Sequence, residues 1–422
     1  MLIALVTGNM VGSGAFLLPA DLARIGSIGL LSLLLTVIGA LSIALVFAKM
    51  SILIPKTGGP YIYAHKSFGE YMGLQTAYYY WVGVWVGNAA IVVAGIGYLN
   101  VFFPVVDSPL AKTIATIAFI WLPTVVNILG VRSAGFMQIV TTALRFAPLL
   151  IVGIIGWWYF HPEYITAYFN VTTQSNFSAF SSAVILTLWL FVGVESAAVP
   201  TDSVDNPKRN IPLATLIGTA TAAIVYILSY TAILGMLPNE VLAHSTSPFA
   251  AAAEVILGPW GKMFVAFSAI VACLGGLNGW ILVAAQIPMA AAEDGIFPKI
   301  FAKCSRSGIP VFGLVTTSVC ITILVLASTY LNLIEQFEIL ILSATTAEVL
   351  AYFYTAVAEI TVLPKKPLTR STIFHICIAI IAAAYSFYAI MSSSKTVIFY
   401  LTAFIFLTIP FYAIFSWHKK HS

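Results

Sequence analysis

Two short stretches decide how this chain is read: Gly12-Ser13-Gly14 inside the first apolar run, and Gly193-Val194-Glu195-Ser196 midway through a run rich in Leu, Phe and Val. A helix in hydrocarbon satisfies its own backbone groups, so a glycine-centred break is tolerated only where protein or a water-filled cavity covers it. Two breaks that open two comparable halves are the mark of a substrate site built from discontinuous helices. The second break also carries Glu195, an ionisable group where hydrocarbon makes charge expensive. The pattern points to a membrane transporter.

Composition agrees. Of 422 residues, 60% are hydrophobic and 8% charged, against about 25% charged in soluble domains. A net charge of +4 supplies no basic face for nucleic acid. Cys273, Cys304, Cys320 and Cys377 show no CxxC spacing, so packing is expected of them rather than disulfide or metal chemistry. No cofactor and no metal are expected.

A membrane span needs about 20 apolar residues. By that measure the sequence predicts twelve spans, at about 1–22, 28–54, 70–103, 110–130, 134–160, 177–200, 211–236, 260–291, 311–331, 335–363, 372–392 and 396–417. Cytoplasmic connections are enriched in Lys and Arg. Lys49, Lys56, Lys66, Arg132, Lys208, Arg209, Lys299, Lys303, Arg306, Lys365, Lys366, Arg370, Lys419 and Lys420 fall in the even-numbered connections and the C-terminus. Only Arg24, Lys112, Lys262 and Lys395 fall in the odd ones. Both termini are therefore expected in the cytoplasm of a multi-pass inner-membrane protein. The breaks lie in spans one and six, and a separation of five reverses orientation. Spans 1–5 and 6–10 are thus expected as an inverted repeat, with a transport core over 1–363 and helices 11–12 plus a short tail over 364–422.

Several motifs then resemble one family. Gly8-Asn9-Met10-Val11-Gly12-Ser13-Gly14 with Leu17-Leu18-Pro19-Ala20 is similar to the first helix of the bacterial basic amino acid/polyamine antiporters, in the amino acid–polyamine–organocation superfamily. Pro55-Lys56-Thr57-Gly58-Gly59-Pro60-Tyr61, Tyr80-Trp81, Trp85-Val86-Gly87-Asn88 and Trp189-Leu190-Phe191-Val192-Gly193-Val194-Glu195-Ser196-Ala197 resemble its second loop, third helix and sixth helix. Asn206-Pro207-Lys208-Arg209-Asn210-Ile211-Pro212 resembles the loop after the sixth helix. Within the family the likeness runs first to the arginine/agmatine type, with lysine/cadaverine and ornithine/putrescine exchangers close behind. It implies a LeuT-like all-α fold of twelve helices, and exchange of a cationic amino acid for its decarboxylated amine. Its partners would be those small molecules and the lipid bilayer, and it raises a homodimer as an expectation.

The resemblance also implies a site. Gly12, Ser13 and Gly14 would present backbone N–H groups to a substrate carboxylate, at a half-helix end carrying partial positive charge. Asn9, Asn88, Trp189, Val192, Glu195, Trp280, Ala344 and Glu348 would complete the substrate site. Tyr80, Trp189, Glu195 and Tyr352 would act as gates. A tryptophan face attracts a desolvated cation by ~2 kcal/mol, which suits a cationic ligand. Trp157, Trp158, Trp260 and Trp417 lie near span ends, where an interfacial belt is expected.

Two positions depart from the family pattern. Span ten carries Glu348 and Glu359, and eleven residues turn a helix through about 1100°, which puts both carboxylates on one face with Tyr352 and Thr355. In the arginine/agmatine type that the chain resembles, the positions matching Glu348 and Ala344 hold small hydroxyl residues. Arg145 sits about 16 Å along span five, where a guanidinium needs a carboxylate or several carbonyls. An ion pair with Glu348 is one expectation, and Glu348 lining the cavity is the other. A proton-coupled symporter built on the same fold is the alternative function. An enzyme is not expected, because GxSxG and HExxH are both absent.

Overall fold

The computed structural model describes residues 2–11, 14–130, 134–198, 201, 204–363 and 369–421, and the side chains of 4, 5, 107, 134–142, 414, 415 and 417–421 fall outside that description. The described residues form helices and no strand: α1 (Leu2–Met10), α2 (Gly14–Ile25), α3 (Ile28–Leu53), α4 (Pro60–Phe68), α5 (Glu70–Leu99), α6 (Pro109–Leu129), α7 (Ala134–Ile155), α8 (Pro162–Ala167), α9 (Asn176–Leu188), α10 (Pro207–Met236), α11 (Asn239–Ala243), α12 (Pro248–Glu293), α13 (Val311–Ala327), α14 (Leu333–Val362), α15 (Arg370–Met391) and α16 (Lys395–His421). Eight of them, α3, α5, α6, α10, α12, α14, α15 and α16, are long and apolar enough to cross a bilayer. The chain is a multi-pass membrane protein.

Among the described residues most of the apolar segments read from the sequence are helical, and the departures have local causes. Proline opens α4, α6, α8, α10 and α12, because its missing N–H is unneeded at a first turn. Thus α10 starts at Pro207 rather than near 211. The short helices α4, α8 and α11 are below the length that an apolar-window reading detects. The expected eighth span at 260–291 is preceded by another helical stretch, because α12 begins at Pro248 and breaks at Gly258, where φ is +66°. Only glycine adopts that backbone readily.

Helix α5 is the central post: most of its length is buried, and α12 and α14 pack along it. By contrast α6 and α16 are largely exposed, and Leu110, Leu122, Leu129, Phe399 and Phe406 present apolar surface of the kind that faces lipid tails. Trp158 and Trp260 are 77% and 79% exposed, in keeping with a belt, while the side chain of Trp417 lies outside the described residues. Connections one and five meet at one end of the bundle, where Ser27 and Ile28 N–H donate to the Tyr168 and Phe169 carbonyls at 2.9 Å. Connections two and eight meet at the other, where the Tyr61 hydroxyl donates to Asp294 Oδ2 at 2.7 Å.

Candidate substrate-binding site

The first break separates α1, which ends at Met10, from α2, which begins at Gly14. Gly12 and Ser13 themselves lie outside the described residues. In the second break α9 stops at Leu188 and a 3-10 turn covers Trp189–Phe191. The chain then passes Gly193 at φ +108° in successive tight turns, with Ser196 N–H bonded to the Gly193 carbonyl at 3.0 Å and Ala198 N–H to that of Glu195 at 2.8 Å. The backbone is unwound where the glycines allow it.

A small cavity lies between the two breaks. Asn9, Met10, Gly14, Val84, Gly87, Asn88, Ile91, Trp189, Val192, Trp280 and Glu348 line it, and its volume is about 20 Å³, room for about one water. Seven of these residues were expected from sequence: Asn9, Gly14, Asn88, Trp189, Val192, Trp280 and Glu348. Met10, Val84, Gly87 and Ile91 were not. The signal for the last three was present, since Val84, Gly87, Asn88 and Ile91 recur at i, i+3, i+4 and i+7 on one face of α5.

Glycines shape the cavity by what they leave out. A methyl at Gly14 would overlap the Trp189 indole, and one at Gly87 would lie 2.8 Å from Trp189 Cη2. The indole therefore occupies a slot between two glycines. A methyl at Gly83 would lie 2.6 Å from Glu348 Cγ, and Ala344 packs beside Gly87, so α5 and α14 approach closely enough to push Glu348 inward. Across the cavity, Trp280 Nε1–H donates to the Asn9 carbonyl at 3.4 Å, and a methyl at Gly193 would lie 3.1 Å from the Trp280 ring.

Polar groups on the wall are left waiting. Glu348 is 1% exposed and its Oε2 has no hydrogen-bond partner among the described residues; Asn88 is 1% exposed and neither amide atom has one. Burying such groups unpaired costs about 1–3 kcal/mol each, and more for a charge. Flanking indoles and an unpaired carboxylate together suit an ammonium or guanidinium.

Glu195 is fully buried and is absent from this wall. Its Oε1 accepts from the Tyr80 hydroxyl at 2.7 Å, and its Oε2 accepts from the Tyr352 hydroxyl at 2.5 Å and from Gly193 N–H at 3.2 Å. Tyr80, Glu195 and Tyr352 thus form one buried knot tying α5 and α14 to the second break, and Tyr352 rests edge-on against Phe47 with centroids 5.5 Å apart. Glu195→Gln should keep the helical fold and slow exchange by about tenfold or more, because an amide leaves one tyrosine hydroxyl a neutral carbonyl and the other an NH2 donor in place of a charged acceptor, a loss of about 1.5–3 kcal/mol. Parental exchange at every pH tested would reduce Glu195 to an interchangeable acceptor.

Arg145 is fully buried. Its Nη1 donates to the Gly8 carbonyl, at the last turn of α1, while Nε and Nη2 have no hydrogen-bond partner among the described residues. Among the described residues it forms no ion pair, so the expected bridge to Glu348 is not made. The guanidinium instead braces the carbonyl end of α1, where cations are favoured. The third buried carboxylate of interest, Glu359, sits 3.2 Å from His375 Nδ1, away from the cavity. Thr355 bonds back to the Ala351 carbonyl of its own helix at 2.8 Å.

Comparison with known proteins agrees with this architecture. Residues 1–417 match the amino acid permease family. The chain is 37% identical to the cadaverine/lysine antiporter of Escherichia coli strain K12, over 92% of this chain and 88% of that one. It is 34% identical to the putrescine transporter PotE of the same strain, over 97% and 93%. It is 33% identical to the putrescine transporter PotE of Haemophilus influenzae, over 97% and 94%. Paired helix breaks, a cavity between them and likeness over nearly the full length place the chain in the basic amino acid/polyamine antiporter family of the amino acid–polyamine–organocation superfamily.

Proposed function

We propose that this protein exchanges a cationic amino acid for its decarboxylated diamine across a bacterial inner membrane, with lysine and cadaverine as the leading pair. The observation that carries the reading is the buried Glu348 carboxylate, whose Oε2 has no hydrogen-bond partner among the described residues, in a cavity walled by Trp189 and Trp280. A diamine brings two ammonium groups. One meets the indole faces, and the other meets Glu348. The amino acid adds a carboxylate, for which the N-terminus of α2, beginning at Gly14, supplies N–H donors. Relatives named for cadaverine, lysine and putrescine move weight from the arginine/agmatine pair to these substrates. Ornithine and putrescine form the second reading.

The same reading takes α7, α9, α13 and the α1–α2 pair as further spans beside the eight long helices, giving twelve with both termini cytoplasmic. The halves through α14 act as an inverted repeat around the cavity, and α15 and α16 are appended. At about 20 Å³ the cavity is closed to any diamine. Trp189 must leave its glycine slot before substrate enters, which makes it the inner gate. The Tyr80–Glu195–Tyr352 knot closes the path beyond it. Alternating access then opens these layers on one side at a time.

Counterflow distinguishes the pairs. Proteoliposomes preloaded with cadaverine should accumulate labelled lysine faster than vesicles preloaded with putrescine or agmatine. Fastest accumulation of arginine against agmatine would reverse the assignment, and equal uptake into empty vesicles would replace exchange by a symporter.

A further inference from the structure

A second cavity lies apart from the one between the breaks. It holds about 760 Å³ and is walled by α2, α9 with the residues before it, the start of α14 and the turn between α15 and α16. That is within the range of small-ligand sites, about 300–1,000 Å³. It shares no lining residue with the central cavity. Connections one, five and eleven contribute to it, so it opens at the end of the bundle opposite Tyr61 and Asp294.

Its charges are unevenly satisfied. Arg24 Nη1 is 3.0 Å from Glu338 Oε2, and this pair is half-buried. Lys395 is exposed. Asp21 is different: it is 2% exposed, it lines the cavity, and both carboxylate oxygens lack a hydrogen-bond partner among the described residues. A buried carboxylate with neither oxygen paired is strongly disfavoured unless a proton or a cation neutralises it. The nearest guanidinium on its own helix is already committed to Glu338.

We propose that this cavity is an outer binding site for a primary alkylammonium, with Asp21 as its counter-ion. A diamine fits it better than the amino acid does, because it offers Asp21 an ammonium at either end and brings no carboxylate into contact with Asp21 and Glu338, whose repulsion Arg24 and Lys395 offset only in part. Asp21 lies seven residues after Gly14, about 10 Å further along the helix, so a diamine held there sits one step outside the central cavity. The site would collect the amine on the side where the amino acid enters and the amine leaves. This inference rests on the exchange reading above for the identity of its ligand.

Calorimetry on the purified chain with cadaverine tests it. Two binding events per chain are expected, and Trp189→Leu should weaken the central one while leaving the outer one. Asp21→Asn should weaken the outer event at least tenfold and leave the central one. Ser182→Phe, which fills the outer cavity while keeping both carboxylates in the chain, should do the same and covers the case of a misfolded Asp21 variant. A single event in the parental chain that Trp189→Leu removes, or an outer event indifferent to both Asp21→Asn and Ser182→Phe, would overturn the outer site and leave the exchange reading standing. No binding event in any of these proteins would overturn both.

Discussion

Trp189→Leu should weaken cadaverine and lysine binding by about thirtyfold, the loss of ~2 kcal/mol of cation attraction, and should uncouple exchange. Two effects combine. The aromatic face disappears from the central cavity, and the slot between Gly14 and Gly87 is left under-filled, so the closed state loses its plug. Calorimetry gives the first effect, and leakage of preloaded cadaverine without external substrate gives the second. Unchanged affinity in a folded variant would remove Trp189 from the binding site, and unchanged coupling would remove it from the gate.

Glu348→Gln should have the other large effect, and it should be selective. Removing one partner of a desolvated charge pair costs about 2–5 kcal/mol, so diamine affinity should fall by about thirtyfold or more. The amino acid should lose less, because its carboxylate retains the donors at the start of α2. Arg145→Gln is the control: its guanidinium braces the Gly8 carbonyl and stands clear of Glu348. That variant should lower thermal stability without changing the preference between diamine and amino acid. If the Glu348→Gln/Arg145→Gln pair recovered folding lost in the single variants, the two side chains would be partners after all.

Much of this was legible in the sequence because glycine and charge are rare enough in hydrocarbon to need a reason. Gly193 and Glu195 announced the second break, and Tyr80, Glu195 and Tyr352, scattered along the chain, do converge on one knot. Thr355 returns to its own helix, the common fate of a membrane threonine. What was not legible depends on how distant helices face each other. Nothing in the spacing of α5 says that Gly83 makes room for Glu348 and Gly87 for Trp189, since both contacts cross to other helices. The sequence left two readings open for Glu348, a bridge to Arg145 or a place on the cavity wall, and named carbonyls as well as carboxylates as partners for the guanidinium. A backbone carbonyl leaves no mark in the sequence, so Gly8 could not be picked out. Asp21 escaped notice at the end of a run that read as a span boundary, where an acidic residue ordinarily meets water. It sits instead, 2% exposed, on the wall of a cavity that α9 and the α15–α16 turn also line.

The claim at the centre of this account is that a monovalent amino acid is traded for a divalent amine through one cavity. Each turnover should therefore move one net positive charge. The direct measurement is membrane potential in proteoliposomes loaded with cadaverine and given external lysine, read with a voltage-sensitive dye beside the efflux of labelled cadaverine. The expected result is an interior that becomes negative in step with cadaverine efflux, only when external lysine is supplied, and a Trp189→Leu protein whose efflux no longer depends on lysine. Lysine uptake that proceeds without internal cadaverine, or efflux that leaves the potential unchanged, would contradict it.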